Sequence, residues 1–187
     1  GGDVMAGFLT GELWLRVPET LKVHLPGSFH DGVTSRDLFE RLLHDLGPDG
    51  AQGKVIEFTG PAIREMGIDA RLVLCNSVQY LSAETAIIAA DEVVEAYLRD
   101  KTGKPYEMVQ SDPDAVYARE LHYDVSTLEP MVVTPPDVFY VKPVSEVAGK
   151  KIQQAMIGTC AGGRLEDLRV AAQIVSGIGF IGGGLIF

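Results

Sequence analysis

The feature that most constrains this chain is a change of hydrophobic period that recurs along residues 19–100. Leu21, Val23 and Leu25 alternate with Lys22 and His24, the two-residue period of a half-buried strand. At Thr34 the period lengthens. Leu38, Phe39, Leu42, Leu43 and Leu46 share one face of a helix that Thr34 or Ser35 can cap, with Asp37 at its positive end and Gly47 to stop it. Residues 55–58 then read as a strand, and Pro61 opens a short helix through Arg64. The compact apolar run 72–75 reads as a buried strand, residues 77–90 are helix-compatible, and Asp91 caps a further helix through Arg99. Strands alternating with helices predict an α/β fold, three layers deep (α/β/α), around a mainly parallel sheet.

The rest of the chain is less regular. Residues 11–17, ahead of Pro18, form a second short strand-like piece. We divide the sequence into an α/β/α domain at 1–100, an irregular connecting excursion at 101–151 rich in proline, and the start of a second α/β unit at 152–187. The excursion has room for one or two edge strands, such as 120–125. In the last part, 155–157 reads as a strand, 158–163 as a loop and 165–175 as a helix. The chain opens Gly1-Gly2-Asp3 and stops in an apolar glycine-rich run, so both ends read as cut and both α/β units as incomplete. Residues 170–187 carry no formal charge, but their glycine content and the amphipathic start of the stretch argue against a membrane span.

Composition narrows the function. Sixteen Lys and Arg against 26 Asp and Glu leave a formal charge of −10, which argues against a nucleic-acid binder or a partner on an anionic membrane. Two cysteines, Cys75 and Cys160, make no disulfide framework, so a reducing, cytoplasmic setting is expected. His24, His30, His44 and His122 show no metal-ligand spacing and read as surface or turn residues. Asp112, Asp114 and Glu120 read as a solvated acidic stretch.

The segment with most chemical content is 157–169, Ile-Gly-Thr-Cys-Ala-Gly-Gly-Arg-Leu-Glu-Asp-Leu-Arg. A strand would run into a glycine-bearing loop, with a helix starting directly after it. Backbone N–H groups of such a loop can converge, and a helix N-terminus favours the thiolate, the form of cysteine that binds metal. A tight turn carrying a small buried Cys fits the same pattern, and the pattern alone leaves both readings open.

This segment resembles the cluster-ligand loop of the aconitase superfamily, in particular the large subunits of isopropylmalate dehydratase and homoaconitase-type enzymes. The resemblance extends in family order through WLRVPETLKV, GVTSRDLF, GKVIEFTGPAI, RLVLCN, IIAADE, SDPDAVYARELHYDVSTLEP and VKPVSEV. It implies an aconitase-like α/β fold in a hydro-lyase large subunit that dehydrates and rehydrates a hydroxy di- or tricarboxylate. It further implies a [4Fe–4S] cluster whose open iron acts as a Lewis acid, and a smaller swivelling-domain subunit as partner.

Residue by residue, Cys160 matches a cluster ligand and Asn76 an asparagine of the site wall, while the neighbouring Cys75 is not a ligand. Arg164 is a candidate for a substrate carboxylate; no catalytic acid or base is assigned. The departures matter as much as the matches. Two thiols cannot supply the three that a cluster needs, so this chain alone is not expected to hold one. Ala161 and Gly162 replace polar family residues beside the ligand, and Tyr80 stands where the family carries a glutamate. The family's first-domain histidines and its Asp-Ser-His segment have no counterpart here. The sequence therefore reads as part of a hydro-lyase large subunit, inactive by itself; the alternative is a degenerate, non-catalytic member acting as a binding or scaffold module.

Overall fold

The computed structural model describes residues 2–180. Four strands build the main sheet: β1 (Glu19–His24), β2 (Lys54–Thr59), β3 (Thr85–Ile88) and β4 (Arg119–His122). Their order is β3-β2-β1-β4 and every pairing is parallel. Chain order thus runs outward from β1 to β3, then returns to the other side of β1. The α/β class with a parallel sheet is what the alternating periods predicted.

Register explains which residues form the core. Leu21 stands opposite Ile56 and Val23 opposite Phe58, so these four side chains emerge on one face, joined by Ala86, Ile88 and Leu121. The helices α2 (Ser35–Leu46), α3 (Pro61–Glu65) and α4 (Ile68–Ser77) cover that face, and Leu38, Phe39, Leu42, Ile63 and Leu74 fill the space between. The opposite face is mostly polar: Lys22, His24, Glu57, Thr59, Glu120 and His122 lie on it. The return from β3 to β4 touches this second face, where Ser111 donates to Glu57 at 2.9 Å.

Local chemistry sets the helix ends as expected for α2. Thr34 and Asp37 form a reciprocal capping box, and Gly47 closes the helix with a φ of 72°. Asp37 also accepts the amide of Met131 at 2.7 Å. That bond ties α2 to the antiparallel pair β5 (Met131–Val133) and β6 (Val141–Pro143). Asp91 caps α5 (Glu92–Arg99), again as expected.

Four sequence expectations fail for identifiable reasons, and a fifth holds only in part. The run 72–75 lies inside α4, not in a strand: Gly67 starts that helix, and Ala70, Val73, Leu74 and Ser77 recur at helical spacing on its covered face. Four apolar residues carry too little period to separate a buried strand from a buried helix turn. Residues 77–90 are not one helix. A 3-10 turn (Val78–Leu81) ends at Ser82, whose left-handed φ of 58° breaks the run before β3 begins. The pieces at 11–17 and 155–157 are not strands, because neither meets a neighbouring strand to bond with; Trp14 and Met156 are exposed. Residues 120–125 hold a shorter strand than expected, β4, followed by a 3-10 turn (Val125–Thr127). Two helices flank the ordered core: α1 (Gly2–Thr10), which the sequence reading did not anticipate, and α6 (Leu165–Phe180). Among the described residues no helix is long and apolar enough to cross a membrane. The end of the uncharged tail, 181–187, lies outside the described residues.

Candidate functional site

The loop 158–164 lies along α4. Cys160 meets the C-terminal part of that helix, where Asn76 Nδ2 donates to Cys160 Sγ at 3.1 Å. At the other end Arg164 Nη1 is 3.6 Å from Asp69 Oδ1. Asn76 and Asp69 are seven positions apart, two helical turns, so they lie on one face of α4 about 10 Å from each other. The three site residues singled out from the sequence therefore share one groove beside α4.

The loop's own geometry depends on its glycines. A Cβ on Gly163 would lie 2.8 Å from Thr159 O and 2.9 Å from Gly158 C, so only glycine lets the chain turn this tightly. Thr159 takes a left-handed φ of 72°, a conformation that costs on the order of 1 kcal/mol or more for a β-branched residue. Asp167 Oδ2 accepts the Arg164 amide at 2.9 Å and so opens α6.

Beyond the loop is a cleft of about 500 Å³ into which the first turns of α2, α4 and α6 all face. Thr34, Arg36, Asp69, Tyr97, Ala161 and Asp167 are among its walls. Arg36 is anchored by Glu40, one turn on, and its other terminal nitrogen is 3.5 Å from Ser77 Oγ. Arg164 keeps a buried Nε with no hydrogen-bond partner among the described residues. Arg36 is the one cation among the lining residues and Asp69, Glu166 and Asp167 are acids there, so the cleft sets three helix N-termini against a mostly acidic wall. The Arg36 contribution escaped the sequence reading because Arg36 lies 128 positions from Arg164 and only the fold joins them. Asp69 was hidden by the misread helix.

Among the described residues the other candidates make no hydrogen bond or ion pair with Cys160 or Arg164. Tyr80 is exposed on the 3-10 turn after α4, its ring 6.1 Å from that of Phe39. Glu84 is exposed at the approach to β3. Cys75 lies on α4 rather than at a strand end, and burial pushes its thiol up to about 11, as suits an inert thiol. Cys160 is exposed. An iron–sulfur cluster needs several thiolates around one point, and these residues do not fit a whole one: they offer a single accessible sulfur. Among the described residues no three His, Cys, Asp or Glu side chains gather as a metal site.

Residues 1–148 match the profile of the Aconitase family (aconitate hydratase). The chain belongs to the aconitase family. Its relatives include the 3-isopropylmalate dehydratase large subunit of Heliobacterium modesticaldum, 42% identical over 175 residues. A probable methanogen homoaconitase large subunit of Methanosarcina mazei is 43% identical, and a 3-isopropylmalate dehydratase large subunit of Methanopyrus kandleri 42%. The alignments cover 94% of this aconitase-family chain but only 42%, 45% and 42% of those three relatives. The chain thus spans less than half the length of the curated relatives it matches.

Proposed function

We propose that this chain supplies one wall of the substrate site in a hydro-lyase large subunit acting on a hydroxy di- or tricarboxylate such as isopropylmalate or homocitrate. The observation that carries the reading is the approach of Asn76 to Cys160 across 84 positions of sequence, in a chain of this family. In this reading Cys160 gives one thiolate to a [4Fe–4S] cluster whose other ligands lie outside these 187 residues. Asn76 holds the sulfur by donating to it, and Arg164 offers its guanidinium to a substrate carboxylate in competition with Asp69. A small subunit completes the assembly, as the name "large subunit" of the relatives supports, and two free cysteines suit a cytoplasmic setting. The 101–151 and 152–187 segments then connect to, and begin, the cluster-bearing unit.

The test is a chimera in which residues 3–175 replace the matching stretch of the Heliobacterium large subunit, assayed with its small subunit. Isopropylmalate turnover is expected, with its loss in Cys160→Ser. A second reading, a degenerate binding module, is favoured by one observation: Tyr80 packs near Phe39 in place of an acid. That reading prevails if the chimera is inactive and Tyr80→Glu with Ala161→Thr and Gly162→Asn restores turnover.

A further inference from the structure

The sequence shows four scattered histidines, but the fold brings two of them together. His24 ends β1 and His122 ends β4, and the two are register partners on adjacent parallel strands. Partners in a parallel pair project from the same face, and here it is the polar face, opposite α2 and α4. Their ring centres are 5.3 Å apart with the planes inclined at 62°. We propose that His24 and His122 form a binding site for a borderline divalent cation such as Zn2+, Ni2+ or Cu2+, separate from the Cys160 groove.

The spacing fits. An imidazole nitrogen binds such an ion at about 2.0–2.1 Å, which puts each ring centre about 3.2 Å from the metal. Two rings at a tetrahedral angle around one ion then have centres about 5.2 Å apart, against the 5.3 Å observed. One ring also has a partner that suits ligation: His24 Nδ1 is 3.3 Å from Thr59 Oγ1 on β2, and the tautomer that donates there keeps its lone pair on Nε2 for a metal. Lys22, two residues earlier on the same face, is paired with Glu120 at 3.7 Å, which offsets its repulsion of a cation. Imidazole is a ligand these ions share, and water completes the remaining positions.

The place is apt as well. Chain order reverses between β1 and β4, so the pair marks a topological switch point at the carboxyl ends of the strands, where open parallel sheets bind ligands. The site needs no residue of the Cys160 groove and does not rest on the proposed function.

Equilibrium dialysis against Zn2+ tests this on the full 187-residue chain carrying Cys75→Ser and Cys160→Ser, so that no thiol competes. Saturation at one Zn2+ per chain is expected. Affinity should fall at least tenfold in His122→Gln, and similarly in His24→Gln, the scale on which even an orienting partner of a ligand matters. His30→Gln and His44→Gln should leave it unchanged. His122 is exposed, so its replacement leaves the fold intact, and circular dichroism verifies this. Absence of saturable binding overturns the proposal, and so does a site that survives His122→Gln unweakened.

Discussion

The Arg71–Asp91 pair offers the sharpest test of how this fold is held. Arg71, 4% exposed on α4, donates from Nη1 and Nη2 to the two carboxylate oxygens of Asp91, both at 2.7 Å. It also donates to the carbonyls of Met66 and Ile63 at 3.0 Å, which end α3 and lead into α4. Asp91 in turn caps α5 through the amides of Val93 and Val94. One guanidinium thus fastens three helices. Arg71→Met keeps the apolar stem but leaves two carbonyls and the part-buried Asp91 carboxylate without their donor, so about 2–4 kcal/mol is expected, less than for a fully buried pair. Urea unfolding followed by far-ultraviolet circular dichroism reads this directly.

Asp91→Asn keeps a capping oxygen and loses the charge, so about 1–3 kcal/mol is expected, the scale of a charge-assisted hydrogen bond. Hydrogen bonds from Arg71 hold the Asp91 carboxyl below the usual carboxylate range. Its stabilising contribution is therefore complete above the unfolded value near pH 3.9 and is lost as pH falls through the lower folded value. Asp91→Asn should flatten that part of the acid limb. In the double variant the losses should be markedly less than additive, since either substitution alone already breaks the pair. Additive losses, or Arg71→Met within 0.5 kcal/mol of the parent, would refute the account; that margin is about what an idle surface substitution costs.

Two further outcomes follow from backbone and thiol chemistry. Gly60 has a φ of 110°, and a Cβ there would lie 2.6 Å from Leu25 O and 2.8 Å from Leu25 N, both backbone atoms. Gly60→Ala should thus cost well over about 1 kcal/mol in urea unfolding, whereas Gly47→Ala, with open space around it, should cost only about that much. Iodoacetamide at pH 8 should alkylate exposed Cys160 at least about tenfold faster than half-buried Cys75, as read by mass spectrometry of the two peptides.

What could be read in advance divides along the reach of the interactions. The α2 helix was legible because its signals are local: Thr34 and Asp37 are three residues apart, and the leucine face repeats within one element. Helix α5 was legible for the same reason, through Asp91. The stretch 68–90 was not. Its decisive features are the left-handed Ser82 and the docking of β3 against β2, with Glu84 donating to the Lys54 carbonyl at 2.9 Å. Neither leaves a periodic trace in so short a segment, and apolar runs of four residues fit either state.

The groove beside α4 shows how far a motif can carry. Glycine content and helix start around Cys160 pointed to a tight loop, and Gly163 has no room for a side chain. That much is local. Which helix the loop lies along is a tertiary matter, settled only when Asn76 meets the sulfur and Asp69 meets Arg164. The histidines carry the argument further. His24 and His122 are 98 positions apart, with no ligand spacing, and become neighbours because β4 crosses back beside β1. A spacing rule for metal ligands detects sites built within one element; a parallel sheet builds its pairs between strands that a long crossover separates. In such folds the chemistry at strand ends is therefore a property of topology, and it becomes visible once strand order is known.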